Sequence, residues 1–171
     1  MEPRSSVAEH KAHAPSAVRC VVCTISDSKT PDTDTSGRLV QEALAAAGHA
    51  VVGYRLVRDE PSQVQAVIHA ACGDPAVQAV IFTGGTGITS RDQTFEAVEG
   101  LLEKRLPGFG ELFRMLSYQE IGPAAMLSRA QAGVRAGRLL FSLPGSPAAC
   151  RLALERLILP ELGHLVREVN R

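Results

Sequence analysis

The residues best suited to chemistry are Thr83-Gly84-Gly85-Thr86-Gly87 and the carboxylates spaced around them. The pentapeptide directly follows the apolar run Ala79-Val80-Ile81-Phe82. A β-rich run that stops in a glycine turn, with a helix-like segment next, is how open α/β sheets build a phosphate site. The glycines remove Cβ atoms, so backbone N–H groups can approach an anion. The following helix adds unpaired N–H groups and a partial positive charge. A plain chain reversal would use the same residue types, so the neighbours carry the weight.

Those neighbours are acidic: Asp27, Asp59 and Asp92, with Glu111 closing Gly108-Phe109-Gly110-Glu111. Carboxylates beside a phosphate cradle would repel a polyphosphate unless a divalent cation joins them. Mg²⁺ suits this role, because it takes one or two carboxylates, substrate phosphate oxygens and several waters. Asp27 and Asp92 have a second reading as helix caps or turn residues, and Glu111 as a first-turn helix residue favoured by the macrodipole. Asp59, at a strand end two residues before Pro61, has the more functional setting. Lys29, Arg91, Arg114 and Arg129 are the nearby cations that could orient a phosphate. Arg129 stands out because Ser128-Arg129 interrupts an apolar stretch. Phe109 and Phe113 read as core or interface side chains, and ring stacking is the lesser alternative. His49, His69 and His164 sit in ordinary helix or turn contexts, with no spacing that suggests Ser-His-Asp or Cys-His nucleophilic catalysis.

The elements that must position these groups alternate. A strand from Val18 to Ile25 leads through the polar loop 26–36 into a helix with Leu39, Val40, Ala43, Leu44 and Ala47 on its apolar stripe, stopped by Gly48. A second strand runs from Ala50 to about Val57. Pro61 and Ser62 open a helix that buries Val64, Val67, Ile68 and Ala71. Val77 to Phe82 is a third strand, and a helix is expected over about Asp92–Lys104. A helical stretch from Gly108 through Met115 follows, then a helical or irregular piece over Ala124–Gln131. Arg138–Leu143 is a late strand, Pro144-Gly145-Ser146-Pro147 a second tight turn, and two helices close the chain from about Ala148 and about Pro160. Such alternation predicts a mainly parallel sheet covered on both faces. Four polar loops then fall at carboxyl ends of strands, where ligands of such sheets bind: Ser26-Asp27, Asp59, Thr83 to Gly87, and Ser142 to Ser146.

Composition narrows the rest. The chain has 171 residues, 45% of them hydrophobic, which suits one domain over 17–171 behind a polar, mobile N-terminal tail over 1–16 in which His10 and His13 are solvated. Eighteen basic and 18 acidic side chains cancel, so no global field recruits nucleic acid or a membrane surface, and any anion site must be local. There is no signal-peptide core and no apolar run of spanning length, so a cytoplasmic protein is expected. Cys20 and Cys23 lie three apart on a strand, facing opposite sides, which rules against a shared metal or a redox disulfide. Cys72 and Cys150 have no partner motif, so no zinc site is expected.

Taken together, Thr24-Ile25-Ser26-Asp27-Ser28, Asp34-Thr35-Ser36-Gly37, Asp59-Glu60, Thr83 to Gly87, Asp92, Pro107-Gly108-Phe109-Gly110-Glu111, Leu127-Ser128-Arg129 and Leu143-Pro144-Gly145-Ser146 resemble, in order and spacing, the molybdenum-cofactor biosynthesis family that includes MoaB, MogA and a domain of gephyrin. The segment 113–122 resembles the MoaB branch in particular. The resemblance implies a three-layer α/β/α molybdopterin-binding fold, a homotrimer or dimer of trimers, and association with other proteins of the same pathway. It implies a site for molybdopterin, whose terminal phosphate active members adenylylate with Mg-ATP, releasing diphosphate. By position, Asp59 and Asp92 match the family's acidic pair, with Mg²⁺ and nucleotide handling as their implied role. Thr83, Gly84, Gly85, Thr86 and Gly87 match its phosphate and pterin loop. Thr24, Ser26, Asp27, Glu111, Ser117, Ser128, Arg129, Pro144, Gly145 and Ser146 match further binding positions.

Two other readings compete. Ile88-Thr89-Ser90 replaces the Pro and basic character usual in the MogA branch, which leaves room for a protein that holds molybdopterin without transfer. A nicotinamide dehydrogenase would need G-x-G-x-x-G after the first strand; Ser26-Asp27-Ser28-Lys29 stands there instead.

Overall fold

The computed structural model describes residues 13–171; most of the expected N-terminal tail, including His10, lies outside the described residues. Strand β1 (Arg19–Ile25) is followed by α1 (Thr35–Ala46), β2 (Ala50–Val57), α2 (Pro61–Gly73), β3 (Ala79–Thr83), α3 (Thr94–Glu99), β4 (Lys104–Arg105) and α4 (Pro107–Ile121). A 3₁₀ segment (Gly122–Leu127), β5 (Gln131–Arg135), β6 (Arg138–Leu143), α5 (Pro147–Ala153) and α6 (Leu159–Val169) complete it. The sheet order is β2-β1-β3-β6-β5-β4. The first four of these strands run parallel, and β5 and β4 join antiparallel.

Period-two burial splits the core into two layers. Cys20, Val22, Ala79, Ile81, Leu139 and Phe141 face α1, α4, α5 and α6. Cys23, Ile25, Val80, Phe82 and Leu140 face α2 and α3. The result is the three-layer α/β/α arrangement, and Cys20 and Cys23 belong to opposite layers. Burial pushes both thiols up to about 12, which keeps them protonated and unreactive.

Several boundaries differ from the sequence expectation. The helix expected over 92–104 is only Thr94–Glu99, because the chain beyond Gly100 turns back and Lys104–Arg105 pairs with Gly133 and Val134. The helix begun at Gly108 starts at Pro107 and runs on to Ile121. The piece over 124–131 divides into the 3₁₀ segment and the start of β5. The β5–β6 hairpin turns at Ala136-Gly137 with φ of 47° and 73°, the positive pair that matches a tight hairpin to strand twist. The two closing helices are joined by one π-helical segment, Leu154–Ile158, into a continuous run. No helix among the described residues is long and apolar enough to cross a membrane.

Candidate functional site

Because β1, β2, β3 and β6 are parallel neighbours, their carboxyl ends share one edge, and the four polar loops meet there. The chain winds from β1 out to β2 and then returns to β3 on the other side of β1, which is the topological switch that opens a crevice at the strand ends. The turns after β3 and β6 are laced together. The Gly84 N–H donates to the Leu143 carbonyl at 3.0 Å, and the Thr83 hydroxyl donates to the Pro144 carbonyl at 3.2 Å. Gly84 (φ 106°) and Gly85 (φ 65°) hold the left-handed backbone that makes this contact possible. A Cβ on Gly84 would strike the Ile25 carbonyl, and one on Gly85 would strike Thr94 and Asp59.

A cleft of about 470 Å³ opens between these turns and α4. Its polar floor is Gly84 to Gly87, Asp92 and Pro144 to Ser146; its apolar wall is Phe113, Ile121, Ala125 and Leu127, with Ser117 and Ser128 in it. Ser146 caps α5 by accepting the Ala149 N–H at 3.2 Å, so that helical run begins at the cleft with its positive end. A cleft of this size and mixed lining suits a flat organic ligand carrying an anionic tail.

Asp59, Asp27, Ser26, Thr24 and Arg129 lie around the cleft without lining it. Asp59 is buried behind the glycine turn, where its carboxylate accepts the Thr94 hydroxyl at 3.1 Å and the Gln93 N–H at 3.3 Å. Burial raises its pKa, and the charges of Asp92 and Asp27 add to the rise. Asp92 has the opposite setting: the Thr89 hydroxyl and N–H bond it at 2.5 and 2.9 Å, which lowers its pKa below the usual carboxylate range. Asp27 accepts two bonds from Arg91, at 2.6 and 2.9 Å, and that pairing brings its pKa down to about 2. Arg91 also reaches Glu60 at 2.8 Å, so one guanidinium ties the loops after β1, β2 and β3. Ser26 accepts the Lys29 N–H at 3.1 Å and shapes the first of these loops. Thr24 is buried beneath it.

Arg129 faces the underside of the glycine turn. It donates to the Thr86 carbonyl and the Asp92 carbonyl, each at 3.2 Å, pairs with Glu96 and stacks 5.0 Å over the Phe95 ring. Its donors hold the loop's backbone from outside the cleft. Glu111 lies elsewhere, on a smaller cleft of about 230 Å³ with Arg105 and Arg114. Among the described residues no three His, Cys, Asp or Glu side chains form a metal cluster. Asp92 is the one carboxylate on the cleft lining, and that suffices only for a cation completed by substrate phosphates and water.

Two contributors fall in segments the sequence marked only by resemblance, with no role read for them there. The apolar wall comes from α4 and the 3₁₀ segment, where buried Phe113 and Ala125 stand beside exposed Ile121 and Leu127 and look like ordinary helix stripe. Ser36, buried at the start of α1, donates to the Gly145 carbonyl at 2.7 Å. That contact spans 109 positions and pins the second turn to α1.

Comparison with known proteins agrees with this architecture. The family described as a probable molybdopterin binding domain matches residues 21–164. A curated relative, molybdenum cofactor biosynthesis protein B of Halalkalibacterium halodurans, is 54% identical over 165 residues, covering 96% of this chain and 97% of its own length. A crystal structure of molybdenum cofactor biosynthesis protein B superposes with a TM-score of 0.89 at 52% identity, over 92% of this chain and 99% of that one. A MogA structure superposes with a TM-score of 0.80 at 27% identity, over 88% and 99% of the two chains.

Proposed function

Since the chain belongs to the molybdopterin-binding family of molybdenum cofactor biosynthesis proteins, we propose that it binds molybdopterin and adenylylates its terminal phosphate with Mg-ATP. The observation that carries this reading is the pairing, in one cleft, of a glycine turn and the Asp92 carboxylate with the apolar wall of α4. The wall suits a flat pterin, and the turn suits the phosphate at its end.

The chemistry asks little of side chains as bases. A phosphate monoester has a second pKa of roughly 6 and is largely a dianion at neutral pH. One of its oxygens forms a bond to the α-phosphorus of ATP while the bond from that phosphorus to the diphosphate breaks; no proton is removed. The barrier is the approach of two anions, so the protein's work is alignment and charge stabilisation. Gly85 to Gly87 supply close backbone approach, and Asp92 would hold Mg²⁺ on the cleft side. Asp59 supports the turn from behind and adds negative potential near that position. Bound Mg²⁺ would supply Lewis-acid stabilisation of the phosphate charge.

A second reading, molybdopterin binding without transfer, is favoured by one observation: both carboxylates of the pair already accept protein donors. Purified protein with molybdopterin and Mg-ATP separates the two. Repeated turnover to adenylylated molybdopterin and diphosphate, dependent on Mg²⁺, supports transfer; tight pterin binding with no product supports the second reading. A homotrimer or dimer of trimers is part of the proposal, supported by the exposed Leu112, Met115 and Tyr118 along α4, and a cytoplasmic location is proposed with it.

A further inference from the structure

The opposite end of the strands carries a further cleft, of about 510 Å³, lined by four arginines: Arg19, Arg138, Arg167 and Arg171. No Asp or Glu is among its lining residues. Arg19 opens β1 and Arg138 opens β6, so this cleft lies at the amino ends of β1 and β6, opposite the strand ends where the glycine turn after β3 sits. Five residue steps along β6, from Arg138 to Leu143, separate the two ends, about 17 Å along the strand.

Two of the four guanidinium groups are positioned by backbone and left uncompensated in charge. Arg19 Nε donates to the Ala76 carbonyl at 2.6 Å. Arg138 donates to the Ala136 and Asp74 carbonyls, each at 3.3 Å. Neither forms an ion pair among the described residues. Arg138 Nε is buried with no hydrogen-bond partner, a state that leaves its desolvation cost unmet. Arg167 and Arg171 share Glu168 at 2.8 and 3.6 Å and form the outer rim. Carbonyls orient a guanidinium without neutralising it, so the inner pair is fixed in place and still attractive to an anion.

We infer that this cleft is a second anion site, built for a small phosphoryl group such as inorganic phosphate, diphosphate or the phosphate of an ester. A phosphoryl dianion matches guanidinium forks in geometry, and its charge exceeds what one carboxylate could offer to so many cations. The site is independent of the glycine-turn cleft and of the transfer reaction proposed there.

The test uses the full chain free of nucleotide and pterin. Inorganic phosphate and diphosphate are titrated separately by calorimetry, and the amide resonances that move are mapped. Perturbation of Gln78, Gly137 and Asn170 is expected, together with an affinity that falls about tenfold in Arg19→Gln. Arg171→Gln, on an exposed side chain, is expected to weaken binding with no change in melting temperature. Arg138→Gln follows as the stronger variant, and the two exposed positions carry the test if it fails to fold. Shifts confined to Gly84–Gly87, unchanged affinity in both exposed variants, or capture of an acidic peptide with no binding of either phosphate would each overturn the inference.

Discussion

The Asp59 carboxylate accepts the Thr94 hydroxyl at 3.1 Å, which binds the end of β2 to the first residue of α3 across the back of the glycine turn. The Gln93 N–H reaches the same oxygen at 3.3 Å. Asp59 is therefore part of the turn's scaffold as well as a source of charge beside it, and the two roles make different demands on a substitution.

Asp59→Asn retains Oδ1, the atom that takes both bonds, and removes a buried charge. Its folding stability should stay within about 1 kcal/mol of the parent, while adenylyl transfer falls by more than tenfold. Thr94→Val should do the reverse on the stability side, costing about 1–2 kcal/mol for the lost donor to a buried carboxylate. Denaturant unfolding and turnover, measured on both variants, separate scaffold from charge. A fully active Asp59→Asn would remove that carboxylate from the chemistry.

Gly85→Ala should be among the most damaging single changes. A left-handed backbone and a methyl group directed at Thr94 and Asp59 together cost about 3 kcal/mol. A melting temperature within a degree or two of the parent, about the smallest shift worth reading for a domain of this size, would show that the turn can relax, and the argument for a rigid cradle would fail with it.

Asp92 and Asp59 act in opposite senses as pH changes. Asp92 is held low first by the Thr89 hydroxyl and then by N–H groups and the Arg129 charge. Its folded pKa lies below the unfolded value of about 3.9, so its contribution is complete above that value and is lost as pH falls through the folded pKa. Asp59 is raised, chiefly by burial. Its contribution is complete below the unfolded pKa and is lost as pH rises through the folded one. Unfolding free energies followed from neutral pH into acid should fall less steeply in Asp92→Asn and more steeply in Asp59→Asn than in the parent. Identical slopes in all three proteins would refute both assignments.

Ser36→Ala leaves the buried contact to the Gly145 carbonyl unmade. About 1 kcal/mol of stability should go, and molybdopterin should bind more weakly, because the turn that lines the cleft loses its tie to α1. Binding unchanged in the folded variant would show that Pro144 to Ser146 hold their shape without α1.

Met115 and Tyr118 are 52% and 60% exposed on α4 and stand outside the cleft lining. If this face joins copies of the chain, light scattering on the parent gives a trimer or hexamer mass, and Met115→Glu with Tyr118→Glu lowers it. A parent that runs as a monomer at micromolar concentration would end the trimer proposal.

Much of the site was readable along the chain because its parts are local. A glycine turn behind an apolar strand, an Asp at a strand end and a Pro-Gly-Ser turn each declare themselves within a few residues. The parallel core was readable for a related reason: β1, β3 and β6 are short apolar runs whose burial is nearly continuous. β4 and β5 were not, since Lys104–Arg105 and Gln131–Arg135 have little strand character of their own. They become strands because β6 offers an open edge whose backbone groups must be paired.

The sequence by itself determined the layer architecture, the identity of the loops at the strand ends and the placing of Cys20 and Cys23 on opposite faces of β1, because period and turn chemistry are properties of neighbouring residues. Tertiary structure alone decided how each charged group is used. Asp92 faces the cleft while Asp59 lies behind it; Arg129 grips the loop from outside, and Glu111 stands on another cleft altogether. Those assignments depend on hydrogen bonds spanning tens of residues, such as Arg91 to Asp27 and Ser36 to Gly145. Such bonds are satisfied only when the strands are in register, which local sequence does not encode.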